Sequence, residues 1–276
     1  MSKEDPRYLR GARSFVQGRF ESVAREAFDD GWTPEEPDTR ELKTSVTIER
    51  ARSIISRNDS PDVGFSQSIN PYRGCEHGCI YCYARPSHAY LELSPGLDFE
   101  TKLYAKTNAA ELLREELMKQ TYKPSPIALG ANTDCYQPIE RKYGITRQIL
   151  EVLSACDHPV TIVTKSALVE RDLDLLAPMA KKNLVRVYVS IGTLDRELAR
   201  KLEPRAASPQ RRLAVLKSLS EHGVPCGVMV AALVPALNDK TMEHVLEAAA
   251  AAGAGEAAYV IMRLPNELKD IFKEWL

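Results

Sequence analysis

The sequence contains no apolar run long enough to cross a membrane, and it carries almost no net charge. No stretch of about 18 uncharged apolar residues occurs, which excludes a transmembrane helix. The chain has 37 Lys plus Arg against 38 Asp plus Glu, which gives a net charge of −1. This balance removes any global electrostatic argument for nucleic-acid binding, but it does not exclude a local basic patch. The N-terminus lacks the apolar run of a secretory signal, so we expect a cytoplasmic protein.

Cysteine is also scarce, and its distribution excludes a disulfide framework. Six cysteines are too few and too unevenly placed to cross-link a chain of 276 residues. Three of them, Cys75, Cys79 and Cys82, lie within eight positions. In a reducing compartment, thiols clustered in this way are typical of metal ligands or redox groups.

From residue 61 onward the sequence shows a repeated strand and helix pattern. Short β-branched runs alternate with amphipathic segments, such as the helix that Ser208 and Pro209 are predicted to begin. Units of this kind predict an α/β fold with a parallel sheet and right-handed crossovers, either an open doubly wound sheet or a partial (β/α)6 barrel of the TIM type. The predicted strands cover residues 65–69, 127–129, 160–163, 185–191, 228–234 and 258–262.

Residues 1–60 differ from the rest, because they combine many charges with few apolar positions in any regular period. We expect an accessory arm, partly extended and punctuated by turns at residues 29–37, in front of a core domain of residues 61–276. The last predicted helix, residues 266–276, ends on Trp275 and Leu276 without a Gly, Pro or polar tail. This ending predicts that the sequence is truncated at its C-terminus.

The three clustered cysteines directly follow the first core strand, at the end of a strand where α/β folds collect their chemistry. Gly74 and Gly78 permit the tight turns that would gather the thiols round one centre. Three thiolates suit either an iron–sulfur cluster or zinc. Zinc requires a fourth ligand, for which His77 is the candidate. Because His77 lies very close to Cys75 in sequence, a cubane cluster with one open iron is the favoured interpretation.

The spacing CxxxCxxC, with an aromatic residue before the last cysteine, resembles the signature of the radical S-adenosylmethionine (SAM) superfamily. The resemblance covers residues 61–276 and implies a partial barrel, a [4Fe–4S] cluster on Cys75, Cys79 and Cys82, and SAM bound at the open iron. It also implies that reductive cleavage of SAM yields a 5′-deoxyadenosyl radical that abstracts hydrogen from a substrate, with reduced flavodoxin or a ferredoxin-type protein as electron donor. Further motifs resemble the subgroup related to spore photoproduct lyase, at residues 70–75, 81–86, 133–138, 164–166 and 203–205.

The resemblance further implies which residues hold SAM. Tyr81 would pack against the adenine. Thr133 and Asp134 follow the second core strand and would accept hydrogen bonds from the methionyl ammonium group. Lys165 would pair with the methionyl carboxylate, and Ser190 would bind the ribose hydroxyls.

Three residues have less settled roles. Arg205 is predicted either to supply a second charge for the methionyl carboxylate or to pair with Glu203. Tyr83 follows the last cysteine of the motif and is placed near the active site by the resemblance. The spore lyase returns a hydrogen atom from a cysteine just upstream of the equivalent Ser/Thr-Asp pair, where this sequence has no thiol. Cys135 directly follows Asp134 and is the candidate to return the hydrogen atom from the other side of the Thr-Asp pair.

Three functions therefore stay open. The first is a radical SAM enzyme whose substrate is unknown, with nucleic acid as one candidate class. The second is a DNA-repair lyase, which the missing upstream thiol puts in doubt. The third is a non-catalytic zinc-binding interaction domain.

Two other features have simpler interpretations. Cys156 and Cys226 are predicted to be small buried apolar residues. The basic stretch at residues 196–217 is predicted to be a solvated helix face, and a phosphate-binding groove is the alternative.

Overall fold

Six parallel strands form the body of the protein in a computed structural model that describes residues 10–21, 42–61 and 63–276. They lie in chain order across an open sheet, and a short antiparallel strand pairs with the first of them at one edge. This is the α/β architecture of a partial (β/α)6 barrel, as predicted. From that edge the strands are β2 (Ile55–Arg57), β3 (Gln67–Ile69), β6 (Ile127–Leu129), β7 (Val160–Thr164), β8 (Val185–Ser190), β9 (Cys226–Leu233) and β10 (Glu256–Ile261).

The central strands are buried because helices cover the outer face of the sheet. Ile162 on β7, Val187 and Val189 on β8 and Val230 on β9 are all 0% exposed. Continuous β-branched runs are typical of parallel strands that are covered on both faces. These runs allowed the central strands to be located from the sequence.

The predicted accessory arm contributes strands to two sheets. β1 (Ser45–Glu49) pairs in parallel with β5 (Lys102–Lys106), which pairs antiparallel with β4 (Tyr72–Arg73). β2 belongs to the main sheet through its antiparallel pairing with β3. The turns predicted at residues 29–37 lie outside the described residues.

Helices connect the strands of the barrel. Ser208 begins α7 as predicted, since its hydroxyl accepts a hydrogen bond from the Arg211 backbone N–H at 3.3 Å, and Pro209 follows at the first helical position. No helix within the described parts of the chain is long and apolar enough to cross a membrane. The helices are α1 (Leu97–Thr101), α2 (Ala109–Leu117), α3 (Glu140–Tyr143), α4 (Ile145–Ala155), α5 (Leu173–Lys181), α6 (Arg196–Leu202), α7 (Pro209–Glu221), α8 (Met242–Ala251) and α9 (Leu268–Trp275).

The last helix, α9, covers the end of the barrel at which the strands terminate. Leu268, Ile271 and Phe272 are buried in a hydrophobic cluster that also contains Cys79 and Tyr81. The helix predicted over residues 266–276 is therefore confirmed over Leu268–Trp275. It packs beside the loops that follow the parallel strands, where sites of this fold class form.

Candidate functional site

At two positions of the cysteine loop, residues 74–82, the backbone adopts a conformation that only glycine accommodates. Gly74 and Gly78 have φ angles of +72° and +67°. A Cβ atom on Gly74 would lie 2.8 Å from the carbonyl oxygen of Phe99, and one on Gly78 would lie 2.7 Å from a carboxylate oxygen of Glu100. The predicted tight turns are confirmed, and they leave no space for a larger residue.

The three thiols of this loop are free and lie in a largely buried environment. Cys75 and Cys79 are 6% and 8% exposed, and Cys82 is half-buried. Burial raises the pKa of the Cys79 thiol to about 12 and that of Cys75 well above its ordinary value, and the neighbouring thiols add to both effects. Buried thiols of this kind release their protons when a strongly positive group binds them.

His77 lies in the same loop but faces a carboxylate. Its Nδ1 atom is 3.3 Å from Oδ2 of Asp134, although the two atoms are not aligned for a hydrogen bond. Across residues 10–21, 42–61 and 63–276, no group of three His, Cys, Asp or Glu side chains is gathered closely enough to hold one metal ion. An iron–sulfur cluster takes thiolate ligands, one on each iron that the protein holds. Three free, largely buried thiols on one loop are donors of that kind, so they fit a cluster.

Asp134 connects the loops that follow β6 and β7. Its carboxylate accepts hydrogen bonds from the Thr164 hydroxyl at 2.8 Å and from the Lys165 backbone N–H at 2.7 Å. Burial alone would raise the pKa of Asp134, but the His77 ring and these donors lower it to about 2. The carboxylate is thus ionised and orients the backbone of Lys165.

A buried charged network surrounds Tyr81. Its hydroxyl donates to Glu203, which also pairs with Arg212. The Nζ atom of Lys165 lies 5.8 Å from the centre of the Tyr81 ring. Although burial opposes the charged form, Arg212 and Lys165 lower the pKa of Glu203, so the carboxylate stays ionised between the two cations.

The burial of Arg212 corrects the interpretation of the basic stretch at residues 196–217. This side chain is 2% exposed, so the prediction of a solvated face is wrong at this position. It lies one helical turn from Val215 and Leu216, which are both buried, and so belongs to the apolar face of α7. That spacing was the sequence signal for its burial.

Two predicted SAM residues have hydroxyl groups that bind the protein backbone. Thr133 is 2% exposed and donates to the carbonyl of Tyr72 at 2.9 Å. Ser190 is 1% exposed and donates to the carbonyl of Ala231 at 3.2 Å. Ser190 is the last residue of β8, and Thr133 lies in the loop that follows β6. Their roles toward SAM stay predictions.

Arg205 pairs with Glu76 instead of Glu203. Its guanidinium lies 3.1 Å from the Glu76 carboxylate, and its backbone N–H donates to the carbonyl of His77 at 3.2 Å. Arg205 therefore contacts the cysteine loop directly. A role toward the methionyl carboxylate stays a prediction.

Tyr83, predicted to lie near the active site, and Cys135, the candidate hydrogen donor, occupy opposite environments. Tyr83 is 59% exposed beside the half-buried Cys82. Cys135 is 0% exposed and belongs to the main hydrophobic core, so its role as a hydrogen donor stays a prediction. Cys226 is buried as expected, whereas Cys156 is exposed because it lies just beyond the last residue of α4.

Sequence comparisons place most of the chain in one family. A family model described as the radical SAM superfamily matches residues 69–249. An uncharacterised protein of Mycobacterium tuberculosis is 40% identical over 214 residues, which cover 77% of this chain and 63% of that protein. An uncharacterised protein of Methanocaldococcus jannaschii is 30% identical over 208 residues, which cover 74% of each chain. The chain thus spans 63% of the length of its mycobacterial relatives.

The fold is similar to that of spore photoproduct lyase. A mutant of that enzyme aligns with a TM-score of 0.64 and 18% identity over 88% of this chain and 70% of that one. The lyase complexed with a dinucleoside spore photoproduct gives a TM-score of 0.64 at 18% identity, over 86% and 67% of the two chains. At this identity the similarity concerns the fold.

The family match and the cysteine loop agree with one another. The superfamily implies a [4Fe–4S] cluster and SAM as cofactors, and the three free thiols of the loop fit the cluster. The match covers more than half of the sequence. The chain belongs to the radical SAM superfamily.

Proposed function

We propose that this protein cleaves SAM reductively and uses the resulting 5′-deoxyadenosyl radical to abstract a hydrogen atom from a substrate that is still to be identified. The observation that carries the proposal is the cysteine loop, in which two buried thiols and one half-buried thiol follow the first parallel strand of the barrel, with glycine turns directly before Cys75 and directly before Cys79. Three protein ligands leave one iron of a [4Fe–4S] cluster open. When bound, this cluster supplies the single electron that splits the S–C5′ bond of SAM into methionine and the radical.

The protein residues would bind and orient SAM. We propose that Lys165 pairs with its methionyl carboxylate and that the ring of Tyr81 contacts the adenine. The ion pair of Glu203 with Arg212 fixes the Tyr81 hydroxyl, so the ring is held in one orientation before SAM arrives. Asp134 fixes the backbone of Lys165 in the same way.

The substitution Lys165→Met is expected to weaken SAM binding by about 10- to 100-fold, as a lost hydrogen bond to a charged group usually does. Equilibrium binding of SAM to anaerobically reconstituted protein measures this change. Lys182→Met is the control, because Lys182 forms an exposed ion pair with Asp157. Equal SAM affinity in wild type and Lys165→Met would remove Lys165 from the binding site.

Reductive cleavage of SAM consumes one electron, so the proposed reaction requires an electron donor. We propose reduced flavodoxin or a ferredoxin-type protein, and dithionite can replace either partner in the assay. The direct test is anaerobic incubation of the reconstituted protein with SAM and dithionite. Formation of 5′-deoxyadenosine and methionine supports the proposal. A colourless protein with about one zinc per chain and no SAM cleavage would indicate the zinc-binding domain instead.

The substrate is best sought by isotope transfer. Deuterated candidate compounds, nucleic acids among them, are added to the anaerobic assay. Deuterium in the 5′-deoxyadenosine then identifies the compound that loses a hydrogen atom. A repair lyase of the spore photoproduct type would require a thiol that returns this atom, and Cys135 lies in the hydrophobic core. The general radical enzyme is therefore the proposal that the site supports best.

A further inference from the structure

An N-terminal segment far from the cysteines in sequence lies directly against the cysteine loop. The strap, residues 10–18, is buried at Arg10, Gly11 and Ala12. The backbone N–H groups of Gly11 and Ala12 donate to the two carboxylate oxygens of Glu100, at 2.9 and 2.8 Å. A Cβ atom on Gly11 would collide with the carbonyl oxygen of Gly78 in the cysteine loop. The strap and the loop are therefore in backbone contact.

Glu100 connects the strap to Arg85, which holds the loop. The Arg85 guanidinium donates to a Glu100 oxygen at 2.5 Å, to the carbonyl of Gly78 at 3.1 Å and to that of Cys79 at 3.0 Å. Its remaining N–H groups donate to the backbone carbonyls of Pro95 and Gly96. Both charged side chains are 0% exposed, and every donor of the guanidinium is satisfied.

The strap completes this buried ion pair. An ionised carboxylate without access to water depends on several donors, and backbone N–H groups directed at it form strong charge-assisted bonds. Without Gly11 and Ala12, Glu100 would rely on Arg85 alone for these two oxygens. We expect the guanidinium then to shift toward the carboxylate and away from the Gly78 carbonyl.

Two further contacts of the strap lie at a different place. The Ser14 hydroxyl donates to a Glu274 carboxylate oxygen at 2.7 Å, and Arg13 donates to the Glu274 carbonyl at 2.9 Å, both at the exposed end of α9. These contacts fix the strap on the barrel without touching Glu100. Removing one of these contacts would loosen the strap away from Glu100, and such a variant serves as a control.

We propose that Gly11 and Ala12 are positioning residues for the iron–sulfur cluster, acting through Glu100 and Arg85 on the peptide between Gly78 and Cys79. This inference rests on the proposed function, because the cluster is part of it. It gives the N-terminal segment a role at the site itself. The strap sets where the Cys79 thiolate lies relative to the other two ligands.

The test compares Gly11→Ala and Glu100→Gln in the full chain, both reconstituted anaerobically. Iron released to a chelator is followed over time, and the EPR spectrum of the reduced cluster is recorded before the challenge. We expect iron loss about 10- to 100-fold faster than in wild type, as for other residues that orient metal ligands. We also expect altered g-values, which a change in overall stability alone would not produce.

Two controls separate the strap from the rest of the chain. Gly255→Ala introduces a Cβ into open space, and Ser14→Ala removes the bond to Glu274. Both are expected to match wild type in iron release and EPR spectrum. If Gly11→Ala does not fold, as judged by circular dichroism of the apoprotein, Glu100→Gln carries the test, because it keeps the shape of the side chain.

The outcomes distinguish the two proposals. Folded Gly11→Ala and Glu100→Gln proteins with wild-type iron release and g-values would overturn the role of the strap and leave the proposed function intact. A wild-type protein that holds no iron after reconstitution would overturn both.

Discussion

Cys79→Ala is expected to remove the iron–sulfur cluster and to reduce 5′-deoxyadenosine formation from SAM to the uncatalysed level. With only three thiolates available, the loss of one leaves two ligands, which cannot hold a cubane. Cys79 is 8% exposed, and its backbone carbonyl accepts a hydrogen bond from Arg85. Iron and sulfide content, together with chromatography of the SAM products, measure the effect.

Cys156→Ala is the matched control for this substitution. Cys156 is a free cysteine of the same chain, but it is exposed at the end of α4. We expect iron content and SAM cleavage equal to those of wild type. A Cys79→Ala protein that kept its iron and its turnover would contradict the ligand assignment.

Arg85→Met is expected to lower the free energy of unfolding of the apoprotein by about 3–5 kcal/mol, the usual effect of removing one partner from a buried ion pair. The change leaves the Glu100 charge buried and removes the donors to four backbone carbonyls. Because two of those carbonyls belong to the cysteine loop, we also expect the variant to reconstitute poorly. Equilibrium denaturation in urea measures the stability change.

Arg211→Met is the control, since Arg211 forms an ion pair with Glu170 at the surface, where its side chain is 47% exposed. Exposed pairs of this kind contribute about 0–1 kcal/mol. If the two substitutions destabilised the protein equally, the buried pair of Arg85 with Glu100 would not be the element that holds the loop.

The parts of the site that lie close together in the sequence could be predicted from it. One loop carries Cys75, Cys79 and Cys82. Its turns were indicated by Gly74, which precedes the first cysteine, and by Gly78, which precedes the second. The central strands were also located, because buried parallel strands have continuous β-branched runs. By contrast, β1 and β2 carry exposed side chains along much of their length, so their apolar signal is weak.

The support of the site could not be predicted, because it joins residues that are far apart in the chain. Glu100 accepts hydrogen bonds from residues that precede it by nearly ninety positions, and no local pattern marks that contact. Arg85 was present in a recognised motif, yet its charge gave no indication of a buried partner. Arg212 is different, since its helical spacing to Val215 and Leu216 did carry the information.

The most direct test of the central claim is the EPR spectrum of the anaerobically prepared, dithionite-reduced protein, recorded with and without SAM. If three thiolates hold a [4Fe–4S] cluster with one open iron, the reduced protein gives a cluster signal, and added SAM changes its g-values by binding at that iron. A protein without a cluster signal, or a signal that SAM leaves unaltered, would contradict the account.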